Sequence, residues 1–194
     1  MKQVSAICVY CGSSNRVDPV YLETAKQVGS LLAEQKIRLI FGGGGVGLMG
    51  AVADAVLDGD GEVIGVMPQF LEDIEVAHER VTELVVVDSM HTRKQKMFDL
   101  SDAFLVLPGG YGTLDEMVEI ITWKQLHRHD KPVLIVNVAG YWNPFLRLID
   151  SIIENRFARP KDGELFTVLS NIEEILPALA RAPEPTLHTA LSGI

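Results

Sequence analysis

Apolar positions along the chain fall into two alternating rhythms. Short, nearly unbroken apolar runs lie at residues 4–10, 37–41, 62–67, 83–87, 103–107, 132–138 and 166–169. Leu84-Val85-Val86-Val87 and Val133-Leu134-Ile135-Val136 show no polar alternation at all. A strand with one wet face alternates with period two. A strand buried on both faces does not, and such strands belong to parallel sheets. The seven runs are therefore expected to form one mostly parallel sheet.

The segments between them carry the helical rhythm. Leu22, Ala25, Val28, Gly29 and Leu32 share one side of a helix expected at 19–35, at the i, i+3, i+4 spacing of an apolar face. Further helices are expected at 46–57, 90–100, 113–127, 143–155 and 171–180. Pro19 suits a first-turn position. Ser89 stands where it can cap the third helix, and Ser170 with Glu173 matches a capping box for the last. Strand–helix alternation over the whole length predicts an α/β fold, a Rossmann-like doubly wound sheet with helices on both faces. No internal repeat or linker interrupts it. Residues 1–182 are expected to form a single domain. Residues 183–194, with Pro183 and Pro185 and no clear period, are expected to be a loose tail.

Composition adds exclusions. The chain has 194 residues, 47% hydrophobic and 22% charged, within the range of chains that bury a core. Its net charge of −9 repels nucleic acid and anionic lipid, so neither is expected as a partner. An anionic ligand then needs a locally positive site. No apolar run reaches the roughly 18 residues of a membrane span, and the start shows no signal-peptide pattern, so a cytoplasmic protein is expected. Cys8 and Cys11 have C-x-x-C spacing. Redox motifs of that kind open a helix, whereas Cys8 lies inside a strand pattern. Zinc would need a second ligand pair, and none is near. Both are expected to be structural, with no metal.

In an open α/β sheet, ligands bind beyond the C-terminal ends of the strands. Four segments at such ends carry unusual chemistry. Cys11-Gly12-Ser13-Ser14 is either an ordinary turn or a set of small groups, Gly12 and Ser13 among them, that face a phosphate or ribose. The tract from Gly42 to Gly50 matches G-x-G-x-x-G in two registers. The next strand ends Gly65-Val66-Met67-Pro68, without the acid that holds a dinucleotide's ribose, so a nicotinamide site is not expected. Close backbone approach to a nucleotide at Gly43 and Gly44 still is. In Met90-His91-Thr92-Arg93-Lys94, Arg93 shares a stripe with Met90, Met97 and Leu100, so its guanidinium must find either a carboxylate or an anionic ligand. Last, Pro108-Gly109-Gly110-Tyr111-Gly112-Thr113-Leu114-Asp115-Glu116 runs from a strand through a glycine turn into a helix. Free N–H groups, the helix dipole and the Thr113 hydroxyl make an anion cradle there. It lacks the lysine of a Walker loop. Glu116 is expected in the first helical turn beside it, either as a dipole partner or as a carboxylate that faces the ribose of a bound nucleotide.

Taken together these segments resemble the Lonely Guy family of cytokinin-activating phosphoribohydrolases, proteins also described as possible lysine decarboxylases. The hallmark P-G-G-x-G-T-x-x-E is matched from Pro108 to Glu116, M-H-x-R-K by Met90, His91, Arg93 and Lys94, and G-G-G-x-x-G-L-M-G by Gly42 to Gly50. Ile121-Thr122-Trp123 matches the run that follows the hallmark. The resemblance implies hydrolysis of the N-glycosidic bond of a purine nucleoside 5′-monophosphate, either N6-prenylated or AMP, to free base and ribose 5-phosphate. It places the catalytic pair on Arg93 and Glu116. It places substrate contacts on Glu75, Arg93, Lys94, Gly110, Tyr111, Gly112, Thr113, Leu114, Asp115, Glu116 and Thr122, with Gly109 in the same turn. It also implies a homodimer, and no cofactor. The competing reading is a nucleotide-sensing module that uses the cradle without chemistry.

Overall fold

A computed structural model describes residues 4–71 and 76–183. All seven expected strands form, as β1 (Ala6–Tyr10), β2 (Arg38–Phe41), β3 (Val63–Pro68), β4 (Glu83–Val87), β5 (Ala103–Val106), β6 (Val133–Val136) and β7 (Thr167–Leu169). They pair in parallel throughout, in the order β4-β3-β2-β1-β5-β6-β7. The helices are α1 (Pro19–Glu34), α2 (Gly47–Asp58), α3 (Met90–Asp99), α4 (Tyr111–Gln125), α5 (Asn143–Glu154) and α6 (Ile175–Arg181). The architecture is Rossmann-like.

The central strand shows why the apolar runs are continuous. Ile7 and Val9 of β1 join a core with residues of α1, α2 and α6. Ala6, Cys8 and Tyr10 face the other way, into a core with α3, α4 and α5. Both faces of β1 are dry, so it has no polar positions. Cys8 and Cys11 therefore lie in opposite cores, both as free thiols. Burial raises the pKa of each well above the ordinary value, so they are inert packing groups.

Two expectations at the margins are corrected. β4 is an edge strand, with Glu83 exposed and Val86 44% exposed despite the unbroken apolar run. The last helix starts later than 171. A 3-10 turn at Ile172–Glu174 precedes it, and Ser170 donates its N–H to Glu174 Oε2 instead of forming a box with Glu173. Pro177 explains the delay. It has no N–H to give, so it fits only the first turn, where N–H groups have no intrahelical acceptor. Pro19 and Ser89 stand at the expected positions, and Asp18 is an additional cap. Asp18 caps α1 with Pro19 in its first turn, and the Ser89 hydroxyl accepts the Thr92 N–H.

The connections leave β1 in opposite directions. β2, β3 and β4 extend the sheet to one side, β5, β6 and β7 to the other. The C-terminal ends of β1 and β5 flank this reversal, where a crevice opens in such sheets.

Candidate active site at the strand reversal

The loops after β1 and β5 touch along the crevice. Gly12 donates its N–H to Pro108 O at 3.0 Å. A Cβ on Gly12 would sit 3.2 Å from Gly109 Cα, and one on Gly109 would overlap Thr113 Oγ1. Glycine at 12 and 109 is thus what lets the two loops meet. Tyr141 adds a brace that sequence reading missed, its hydroxyl donating to Gly109 O at 2.6 Å. Nothing local marks it, because the two residues are 32 positions apart.

Helix α4 begins at Tyr111, two residues before the expected start, with Gly110 as its N-cap and no side chain capping it. Two consequences follow. Thr113 is the third helical residue, is buried, and packs its hydroxyl against Gly109 instead of lining an open cradle. Glu116 lies in the second turn, not the first. The N–H groups of Tyr111, Gly112 and Thr113 belong to the first turn, which has no intrahelical acceptors. A Cβ placed on Gly110 or Gly112 would meet nothing within 4 Å. Neither residue has the positive φ seen at Gly43, Gly47 and Gly140. The backbone and the neighbours would both accept a larger residue at these positions. What glycine preserves there is open space.

The other glycine tract is covered by two neighbouring segments of the chain. Leu48 and Met49, in the first turn of α2, donate their N–H groups to Gly12 O, and Gly47 donates to Asn15 Oδ1 at 2.9 Å. Gly43 and Gly44 are buried, with Gly44 bridged to Ala77, under residues 76–78 of the β3–β4 connection. The expected nucleotide approach at Gly43 and Gly44 is therefore taken by the protein's own backbone. Gly12 is half-buried, while Ser13 is exposed at the crevice.

Arg93 is buried, with 5% exposure. Its Nε donates to Val66 O at 3.0 Å and its Nη2 to Gly42 O at 2.8 Å. It thereby ties α3 to the C-terminal ends of β2 and β3. A side chain on Gly42 would run into the guanidinium. These two main-chain carbonyls are partners that the apolar stripe in the sequence does not predict. Arg93→Ala strands two buried carbonyls at roughly 1–3 kcal/mol each. The variant is expected to melt some 6–12 °C below the parent, for a loss of about 3 kcal/mol in a chain of this size. An unchanged melting point in a thermal scan would show that these carbonyls do not depend on the arginine.

Glu116 is half-buried on α4. Its charge raises the pKa of Cys8, Tyr10 and Cys11 in addition to the larger effect of burial, whereas Arg93 pulls Cys8 down. The two charges singled out from sequence thus both act on the end of β1. Lys94 and Asp115 are paired with each other at 3.1 Å, and Lys94 also reaches Glu119 at 3.0 Å. Burial is the largest influence on Lys94 and lowers its pKa, but the hydrogen bonds and charges of Glu119 and Asp115 outweigh it, and the net shift is upward. Leu114 is half-buried against the core, and Tyr111 is 93% exposed. Thr122 is exposed three turns along α4, its hydroxyl bonded to Val118 O. Glu75 lies outside the described residues, as do all but the first residue of the expected tail.

Comparison with known proteins places this geometry among relatives. A family model described as "possible lysine decarboxylase" matches residues 49–179. A probable cytokinin riboside 5′-monophosphate phosphoribohydrolase of Oryza sativa subsp. japonica is 45% identical over 173 residues, 89% of this chain and 71% of that one. A cytokinin riboside 5′-monophosphate phosphoribohydrolase of Arabidopsis thaliana is also 45% identical over 173 residues, covering 89% of this chain and 80% of its own. Among solved structures, a Moco carrier protein from Chlamydomonas reinhardtii superposes with a TM-score of 0.71 at 19% identity, over 93% of this chain and 98% of the other. That likeness is one of fold. The identity to the phosphoribohydrolases extends over most of both chains, and on that ground this chain belongs to the Lonely Guy family of cytokinin riboside 5′-monophosphate phosphoribohydrolases.

Proposed function

We propose that this chain hydrolyses the N-glycosidic bond of adenosine 5′-monophosphates, N6-modified ones and AMP, releasing the free base and ribose 5-phosphate. The observation that carries the reading is the open space at Gly110 and Gly112, at an uncapped helix start, with Glu116 four residues beyond Gly112 on the same helix face. The 5′-phosphate takes the first-turn N–H groups and the positive end of the α4 dipole. The ribose then lies toward Glu116. Water adds at C1′, and the bonding pair leaves with the base nitrogen, which takes up a proton. Positive charge builds on the ribose in the transition state, and the Glu116 carboxylate stabilises it and orients the water. Arg93, fixed by its two carbonyls, supplies the local positive charge that an acidic chain needs toward an anionic substrate.

At Lys94, the lysine beside the glycine turn, the decarboxylase description does not fit. Pyridoxal chemistry needs a lysine amine that loses its proton to form a Schiff base. Lys94, which packs between α3 and α4, is held as an ammonium by Asp115 and Glu119.

The assembly we propose is a homodimer. Tyr111 and Val118 on α4 and Leu126 at its C-cap are 93%, 46% and 64% exposed. Apolar surface so exposed is commonly covered by a partner. No helix among the described residues is long and apolar enough to cross a membrane.

The test is to incubate the purified protein with AMP and with N6-isopentenyl-AMP and to separate the products. Free base is the expected result. Binding without base release would instead favour a nucleotide-sensing module.

A further inference from the structure

His78 is a buried polar residue with no part in the chemistry above. It lies in the β3–β4 connection, five residues before β4, is 7% exposed, and is held from three sides. Its ring stands edge-on to Phe41, the last residue of β2, with centroids 6.4 Å apart. Its main-chain N–H donates to Gly43 O at 2.9 Å. The ring nitrogens are both engaged, Nδ1 with the Arg80 N–H at 3.2 Å and Nε2 with Asp54 Oδ1 of α2 at 3.2 Å. A main-chain N–H only donates, so Nδ1 is the acceptor and the proton of the neutral ring sits on Nε2, facing Asp54. Arg80 closes the cluster by donating to Asp54 at 3.1 Å and Asp58 at 2.7 Å.

These contacts bracket one residue. Phe41 and Gly43 are the two neighbours of Gly42, and Gly42 O is the acceptor that holds Arg93 Nη2. The tract around Gly42 has little stiffness of its own, because four successive glycines leave the backbone free to turn. From this we infer that His78 is a positioning residue for Arg93: clipped to Asp54, it fixes both neighbours of Gly42 and with them the carbonyl that sets where the guanidinium stands. The inference rests on the role given to Arg93 under the proposed function.

His78→Ala keeps the main-chain donor to Gly43 O but loses the ring that anchors it to Asp54 and Phe41, so the tract samples other arrangements. If the correct one is populated about one-tenth of the time, apparent affinity falls about tenfold. His78→Ala is therefore expected to raise KM for N6-isopentenyl-AMP about tenfold, and to weaken binding of carbocyclic AMP, which has no glycosidic bond to cleave, by a similar factor. His78→Gln offers an amide donor near the place of Nε2 and an acceptor beside it, and is expected to stay within about threefold of the parent. A purely structural role would lower the melting point and the active fraction of His78→Ala but leave both KM and the affinity unchanged in the folded molecules; that result would overturn the inference. Should His78→Ala fail to fold, Asp54→Ala removes only the outer end of the clip, and an unchanged KM and affinity there would overturn it equally. Parent protein that binds carbocyclic AMP but releases no base would sink the proposed hydrolysis alone, and the affinities of the variants would still decide the role of His78.

Discussion

Replacing Glu116 with glutamine is expected to cut turnover of N6-isopentenyl-AMP by about two orders of magnitude or more. The substitution keeps the volume and removes the charge. Glu116 sits at a half-buried position in the second turn of α4, where its charge already reaches the buried groups at the end of β1. A carboxylate in so sheltered a place acts strongly on a cation that forms beside it, because little water screens the pair. That cation exists only as the glycosidic bond breaks. The loss should therefore appear in kcat, with KM little changed, which is the pattern of an interaction made in the transition state. The melting point is expected to stay within about 3 °C, since the fold is held by two apolar cores on the faces of the sheet. Near-normal kcat would remove Glu116 from the mechanism.

The second large effect concerns the 5′-phosphate. AMP is expected to be cleaved, and adenosine hardly at all. Binding energy from a remote group can be spent on the chemical step, so a substrate without the phosphate loses kcat as well as affinity. Gly112→Val tests the same point from the protein's side. The backbone at 112 has no positive φ, and a Cβ there would touch nothing. Valine also has a higher helix propensity than glycine. The variant should fold at least as well as the parent and yet lose about two orders of magnitude in kcat/KM on AMP, because its side chain takes the space left for the phosphate. Equal kcat/KM for adenosine and AMP on the parent protein would show that the turn reads no phosphate. A Gly112→Val protein with parental activity would show that the space is not where substrate binds.

The difference between the two glycine-rich turns could not be read from their sequences. Both are strand, turn and helix, and both offer first-turn N–H groups. After β2 those groups are consumed, by Gly12 O and Asn15 Oδ1 from the loop after β1. After β5 the turn faces outward, and the space over Gly110 and Gly112 stays open. Availability of a donor depends on which other loop arrives beside it, and that is a property of strand order.

Strands, helices and the cradle motif were legible because each depends on neighbours in the chain. A strand with two dry faces must be apolar at every position, a helix with one dry face must repeat every three to four residues, and a helix start needs its glycine and its donors within a few residues of one another. The sequence by itself therefore determined the alternating α/β fold, the seven strands, and the segment from Pro108 to Glu116 as a glycine turn into a helix with a carboxylate beyond it. Tertiary structure alone decided that β4 would be an edge despite its apolar run, that Lys94 and Asp115 would neutralise each other across α3 and α4, and that Arg93 would be anchored by the carbonyls of Val66 and Gly42, 27 and 51 positions away. The physical reason is range: burial and hydrogen bonding along one element repeat with its own period, whereas a partner brought by the pairing of distant strands leaves no period to read.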